Sequence, residues 1–172
     1  VGLWDLGHQT PINDENFLRT MCKKIGSELR PVNEECADIL LESDDPYNDL
    51  REVIELLASE EINILMLWDG FDKALGSGAL TRNLWDNLRA LAHFSSIRLI
   101  TASRKFLQEL IRDPQAKTSD FWNIFAEAKP ILINTFDEDD QNAIHAQLEN
   151  IELTSGAKKD LLNWTGGFPP LY

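Results

Sequence analysis

Two acidic side chains at the end of an apolar run are the residues of this sequence best suited to chemistry. Ile62–Trp68 is apolar except for Asn63 and leads directly into Asp69, and Asp72 follows three positions later. A short apolar run with an acidic exit is typical of a parallel strand that is covered on both faces. Two carboxylates at such an exit can hold Mg²⁺, largely through water, and can orient a water molecule toward a phosphate. The alternative is that both aspartates only cap the following turn or helix.

A third candidate, Arg104, follows the next apolar run. Ile97–Ala102 has the composition of a buried strand, and Ser103 and Arg104 come directly after it. If the two strands are neighbours, the guanidinium lies beside the acidic pair and can bind a terminal phosphate in a fork geometry. An arginine after a strand is also common as an ordinary surface cation, so Arg104 alone does not decide between the two interpretations.

The elements that must position these residues alternate along the chain. Strands are predicted at Val1–Leu6, Ile62–Trp68, Ile97–Ala102 and Pro130–Asn134. Helices are predicted after Asn13 or Asp14, near Ala37–Leu41, over Tyr47–Ser59, around Leu84, Leu88 and Leu91, around Phe106, Leu107, Leu110 and Ile111, from about Asp137, and over Ser155–Trp164. Strands that alternate with helices predict an α/β fold, a parallel sheet with helices on both faces.

The composition narrows the class of protein and of partner. The chain has 172 residues, 43% of them hydrophobic, which is enough to bury the core of one domain. Its net charge of −13 makes direct nucleic-acid binding and attachment to an anionic membrane unfavourable, since both need clustered basic residues. Cys22 and Cys36 lie in predicted helices outside any metal-binding motif, which predicts reduced core thiols in a cytoplasmic protein.

In this order, three short motifs resemble those of the signalling P-loop ATPases of the STAND class, relatives of the AAA+ proteins, and particularly the NACHT-like members. Ile64–Asp72 resembles the Walker B strand of that family, and Leu99–Arg104 resembles its sensor strand. Gly167-Phe168-Pro169 resembles the G-x-P motif of the small helical subdomain. The resemblance covers nearly the whole chain and depends on the order and spacing of the motifs.

The resemblance implies roles for particular residues and a pair of cofactors. Asp69 becomes the ligand of the Mg²⁺ and its water, Asp72 the residue that orients the attacking water, and Arg104 the sensor of the γ-phosphate. Gly167 and Pro169 become the cofactor contacts of the helical subdomain, with the proline packing against the adenine of ATP. Lys73 stands where the family often has a further acidic residue, which bears on the efficiency of hydrolysis.

The family also implies a division into domains and a missing part. Residues 1–135 correspond to a partial nucleotide-binding α/β core, and residues 136–172 to a truncated helical subdomain. No G-x-x-x-x-G-K-[ST] motif occurs, and Gly76-Ser77-Gly78 cannot replace it because no lysine with Ser or Thr follows. The family order places the first strand and its phosphate loop before Val1. We therefore expect a gap in the sheet and weak ATP binding by this chain alone.

Two functions follow as expectations. The resemblance implies a cytoplasmic signal-transduction ATPase that switches between ATP and ADP states, forms homo-oligomers through the ATPase core and acts through a protein partner or effector domain outside this chain, in a setting such as antiviral defence. The alternative is a degenerate ATPase-like interaction scaffold without nucleotide turnover. Exposure of Phe121, Trp122 and Phe125 would make Ser119–Phe125 a partner surface. We otherwise expect the tryptophans in the core.

Overall fold

A computed structural model describes residues 1–105, 109, 119–125, 130–132, 134–147 and 154–165. The chain divides into two compact units, Val1–Ala128 and Lys129–Tyr172. The described elements of the first unit are β1 (Gly2–Asp5), α1 (Asp14–Leu29), α2 (Glu34–Leu41), α3 (Pro46–Ser59), β2 (Ile64–Asp69), α4 (Phe71–Gly76), α5 (Arg82–Ala92), β3 (Ile97–Thr101) and a 3₁₀ helix (Asp120–Phe125). The second unit contains α6 (Glu138–Gln147) and α7 (Ser155–Thr165).

The first helix begins where the sequence predicts it. The side chain of Asn13 accepts a hydrogen bond from the backbone N–H of Asn16 over 2.8 Å, which satisfies one of the free donors at the helix start. Asp14 and Glu15 in the first turn also suit the positive end of the helix dipole. From this start, α1 turns a continuous apolar stripe, including Phe17, Met21 and Ile25, toward the core.

The described strands form one parallel sheet in the order β1-β2-β3. Leu3 pairs with Leu67, and Leu67 pairs with Ile100, so the three strands are in register across the middle of the sheet. The predicted α/β class with a parallel sheet is confirmed. Both connections step in the same direction across the sheet, and right-handed crossovers of that kind place their helices on the same face.

One face of the sheet carries the core. Trp4, Met66 and Trp68 point to this face and are at most 2% exposed. Aromatic rings join the sheet to the helices, with ring centroids 4.7 Å apart between Trp4 and Phe17 and 5.6 Å apart between Trp68 and Phe71. Contacts at such distances add about 0.5–1.5 kcal/mol per pair to the stabilisation from burial. This packing fixes the strand exits relative to the helices that follow them.

The opposite face differs from the prediction of helices on both sides. We call it the open sheet face, and it consists of Leu3, Leu65, Leu67 and Ile100, which alternate along the strands with the buried side chains. Leu3 is 63% exposed and Ile100 is 57% exposed. The helices are confirmed as flanking elements, but they cover one face of the sheet in the part of the chain that is described. The direction of the crossovers is the physical reason.

The predicted fourth strand at Pro130–Asn134 is wrong for its described residues. Pro130–Leu132 and Asn134 have no regular secondary structure, and Ile131 is 92% exposed. A strand needs a hydrogen-bonded neighbour, and an apolar composition alone does not supply one. The predicted helix around Phe106, Leu107, Leu110 and Ile111 lies outside the described residues.

The second unit contains the two helices that the sequence predicts for it. α6 begins at Glu138, after Asp137, whose side chain accepts a hydrogen bond from the Asp140 backbone N–H over 2.9 Å. Trp164 near the end of α7 is 87% exposed, so the expectation that this tryptophan belongs to a core is wrong. Among the described helices of both units, none is long and apolar enough to cross a membrane.

Candidate functional site

The carboxyl ends of β2 and β3 meet at one edge of the sheet. The Ala102 backbone N–H donates to the Trp68 carbonyl over 2.7 Å, and the Phe71 N–H donates to the Ala102 carbonyl over 2.9 Å. These two bonds continue the strand pairing beyond the last paired residues and tie the start of α4 to the loop after β3. The condition under which Arg104 would lie near the acidic pair, that the two strands are neighbours, is met. Open α/β sheets bind ligands outside this edge.

A glycine makes the sharp turn from β2 into α4. Gly70 has φ +65°, which is the left-handed region that side chains disfavour. A Cβ at this position would lie 2.8 Å from the backbone nitrogen of Gly7, in the loop after β1. The turn therefore packs directly against a neighbouring loop, and only glycine fits there without displacing the backbone. This contact sets where Asp69 and Asp72 stand.

Each of the two aspartates has a hydrogen bond that helps to hold the edge together. Asp69 is exposed, and its Oδ1 accepts from the Gly70 N–H over 2.7 Å. Asp72 lies in the first turn of α4, and its Oδ1 accepts from the Arg104 backbone N–H over 3.4 Å, a long bond. The alternative that both aspartates cap the following turn or helix is therefore met by Asp69 alone, because the hydrogen bond of Asp72 comes from the loop after β3.

Arg104 is brought to the acidic pair through its backbone. Its side chain is exposed, and within the described residues its guanidinium forms no ion pair with Asp69 or Asp72. The three residues predicted to act together thus lie at one edge, where the described part of the chain offers no ion-pair partner to the guanidinium. An unpaired arginine fork is suited to a phosphate or a carboxylate.

Sequence reasoning missed a second polar pair at the same edge. Asp5 ends β1 directly opposite Asp69 in the parallel register. Its Oδ1 accepts from the His8 N–H over 3.0 Å, and its Oδ2 lies 2.5 Å from the His8 Nδ1. The backbone hydrogen bond from His8 is the main cause that lowers the pKa of Asp5, and the side-chain bond acts in the same direction. The signal was an aspartate at a strand end with a histidine three residues later.

The donor set at this edge does not form a cation cage by itself. Among the described residues, no group of three or more His, Cys, Asp or Glu side chains could hold a metal ion. Mg²⁺ is commonly held by one or two carboxylates together with water and the phosphates of a substrate. The exposed carboxylate of Asp69 fits that limited role, so a Mg²⁺ here would have to arrive with its phosphate ligand.

Two glycine-containing segments that the sequence analysis considered for nucleotide binding remain. Gly167 and Pro169 lie outside the described residues. Gly76-Ser77-Gly78 forms the end of α4 and the following turn, where the Ser77 hydroxyl donates to the Ala74 carbonyl over 2.8 Å. That local structure agrees with the conclusion that this glycine pair is not a phosphate loop.

The exposure that would make Ser119–Phe125 a partner surface is not found. Phe121 is fully buried and Trp122 is 8% exposed. Their rings pack on Trp85 in α5, with centroids 5.3 Å and 5.5 Å away. The 3₁₀ helix is therefore part of the core, and it does not supply the partner surface that was considered.

Comparisons with known proteins give no relative for this chain. A scan against protein-family models finds no match, and searches of curated proteins and of solved structures find none either.

Proposed function

We propose that this chain is part of the nucleotide-binding core of a signal-transduction ATPase of the STAND class, acting as an ATP-dependent switch for oligomerisation or activation. The observation that supports the proposal is the meeting of three residues at one edge of the sheet. Asp69 ends β2, Asp72 begins α4, and Arg104 follows β3 with its backbone bonded to Asp72. The parallel order β1-β2-β3 is compatible with a part of a P-loop fold.

Each residue has a role that its position allows. Asp69 would hold Mg²⁺ through water, and the cation would reduce the electrostatic repulsion between the phosphates and the acidic edge. Asp72 would accept a hydrogen bond from the attacking water, and Arg104 would bind the terminal phosphate through its unpaired guanidinium. By the resemblance, Gly167 and Pro169, which lie outside the described residues, would be further cofactor contacts, with the proline packing against the adenine. The partners in this proposal are ATP and ADP, further copies of the ATPase core, and an effector domain or protein outside these residues.

In this proposal, most of the free energy of phosphate binding comes from a phosphate loop and not from Asp69, Asp72 and Arg104. A P-loop ATPase surrounds the phosphates with backbone N–H groups and a lysine, and no such motif occurs in these 172 residues. We expect the 172-residue chain alone to bind Mg²⁺-ATP weakly or not at all, because the backbone cradle and its lysine supply most of the phosphate-binding energy. Micromolar binding in isothermal titration calorimetry would contradict this expectation.

The rival function is an ATPase-like scaffold without nucleotide turnover. The observation in its favour is that both aspartates accept backbone hydrogen bonds, Asp69 from Gly70 in the turn and Asp72 from Arg104 in the loop after β3, so that their presence has a structural reason. The two functions differ in whether activity depends on the charges of the Asp69, Asp72 and Arg104 side chains. A switch needs the carboxylates and the guanidinium, whereas a scaffold needs only the local hydrogen bonds.

Sedimentation velocity of the natural gene product with Mg²⁺-ATP and with Mg²⁺-ADP tests the switch. Arg104→Ala removes the free guanidinium and leaves the backbone bond to Asp72 in place. We expect it to abolish the difference between the two nucleotides. Arg51→Ala, an equal loss of charge on the exposed side of α3, should retain the difference. An Arg104→Ala protein that still assembles in a nucleotide-dependent way would support the scaffold.

A further inference from the structure

The open sheet face is an apolar surface with charged ends. The register places Leu3, Leu67 and Ile100 side by side across the three strands, and Leu65 lies one pleat further toward the amino end of β2. Leu3 and Ile100 on the two outer strands are more than half exposed. Parallel sheets are normally covered on both faces, because their unpaired apolar side chains would otherwise remain in water.

Opposite charges flank this apolar row. Asp5 and Asp69 lie in register at the carboxyl end of the open sheet face. Arg98 lies at the amino end, in register with Leu65, and its guanidinium donates to the Ile97 carbonyl over 2.8 Å. The face therefore has an apolar middle, an acidic end and a basic end.

The dimensions of the face suit one helix. Three strands at the usual spacing span about 10 Å, which is also the diameter of an α-helix with its side chains. From Leu65 to Asp69 the strand rises about 13 Å, the length of roughly nine helical residues. A helix laid along the strands would thus cover the row from one charged end to the other.

A second copy of the chain fits less well. The footprint of the face is on the order of 130 Å², whereas a stable dimer buries about 800 Å² on each partner. Two copies would also bring together two chains that each carry a net charge of −13. Size and charge both favour a small, basic occupant.

We propose that the open sheet face binds an amphipathic, basic α-helix of a partner protein, antiparallel to the strands. In this direction the positive end of the helix dipole meets Asp5 and Asp69, and the negative end meets Arg98. The apolar stripe of the helix packs on Leu3, Leu67 and Ile100. The inference concerns the face away from the Trp4 side of the sheet and does not rest on nucleotide binding.

The probe is a synthetic peptide of about 16 residues with leucines on one helical face and lysines on the other. Its binding to the 172-residue chain is measured by fluorescence anisotropy, against a peptide of the same composition whose scrambled order destroys the leucine stripe. We expect a Kd on the order of 100 μM for the amphipathic peptide and at least about tenfold weaker binding for the scrambled one.

Two charge-introducing variants separate the face from the rest of the surface. Ile100→Asp places a carboxylate in the apolar row and should weaken peptide binding at least about tenfold. Val32→Asp makes the same kind of change at an exposed residue between α1 and α2 and should leave binding unchanged. Equal affinities of the two variants would overturn the proposal.

A spin label on the peptide reports the direction of the helix. A label at the N-terminus should broaden the backbone amide signals near Asp69, and a label at the C-terminus those near Arg98. The reversed pattern would overturn the proposed orientation. Dimerisation of the chain that Ile100→Asp abolishes, without peptide binding, would assign the face to a second copy instead and would also overturn the proposal.

Discussion

The backbone N–H of Arg104 donates to the Oδ1 of Asp72 over 3.4 Å and so joins the loop after β3 to the first turn of α4. The side chain of Asp72 therefore has a structural function that a charge is not needed to fulfil. An amide oxygen at the same place accepts the same hydrogen bond. This separates the structural role of the residue from its proposed role toward a water molecule.

Asp72→Asn should leave the fold intact. We expect the free energy of unfolding in urea to change by less than about 0.5 kcal/mol, because the acceptor is retained. In the natural gene product the same substitution should lower the rate of ATP hydrolysis, because a neutral amide oxygen is a weaker acceptor for the hydrogen bond from the attacking water than a charged carboxylate. An Asp72→Asn protein that hydrolyses ATP at the wild-type rate would contradict the role given to this carboxylate.

Gly70→Ala should be the most costly glycine substitution in the loops of the sheet edge. The positive φ alone costs a non-glycine residue about 1–2 kcal/mol, and the new Cβ also clashes with the Gly7 backbone. We therefore expect a loss of more than about 2 kcal/mol in the free energy of unfolding.

Gly78→Ala is the matched control for the clash. Gly78 also has φ +65°, but no atom lies within 4 Å of its Cβ position. Its substitution should cost about 1 kcal/mol, the conformational term alone. Equal losses at the two positions in urea unfolding would show that the contact between the turn and Gly7 contributes nothing.

The two cysteines should be unreactive in the folded chain. Burial raises the pKa of the Cys22 thiol to about 12, and it also raises that of Cys36. At pH 8 only roughly one Cys22 in ten thousand is then a thiolate, the reactive form. We expect both thiols to react with a disulfide reagent within seconds in concentrated guanidinium chloride and neither to do so within minutes in buffer. Rapid labelling of a Cys36→Ser protein in buffer would contradict the burial of Cys22.

Trp85 and Trp164 allow the same substitution to be compared at a buried and at an exposed tryptophan. Trp85 is 3% exposed and packs against Phe17, Phe71 and Phe121, whereas Trp164 is 87% exposed. Trp85→Ala should lower the free energy of unfolding by about 3–5 kcal/mol, since it leaves a large cavity in the core. Trp164→Ala should change it by less than about 0.5 kcal/mol. Thermal unfolding followed by circular dichroism distinguishes the two; similar losses would contradict the described packing.

Local patterns were enough to predict the framework of the first unit. The caps, the apolar stripes and the three strands are short-range features, and Asn13, Ile64–Asp69 and Ile97–Thr101 stand close to where the sequence predicts them. The meeting of Asp72 with Arg104 was predicted only on the condition that their strands are neighbours, because parallel neighbours end at one edge. The sequence left the order in which the strands pair open.

Two of the wrong predictions, those for Pro130–Asn134 and Trp164, share a physical cause, which is that burial depends on partners distant in the sequence. Pro130–Asn134 has the composition of a strand, but its described residues have no regular secondary structure. Trp164 lies on α7, and the sequence of that helix does not show which of its apolar side chains another element covers. The Asp5 and His8 contact was missed because a histidine at that spacing is commonly an isolated surface residue, and only the turn geometry brings it back to the carboxylate.

The most direct test of the proposed function is the affinity of the natural gene product for Mg²⁺-ATP, measured by isothermal titration calorimetry for the wild type and for Asp69→Asn. Asp44→Asn, which removes the same charge from an exposed loop residue, is the control. If Asp69 holds the metal, its substitution should weaken Mg²⁺-ATP binding at least about tenfold while Asp44→Asn has no effect. Equal affinities for all three proteins, or no ATP binding by any of them, would contradict the account.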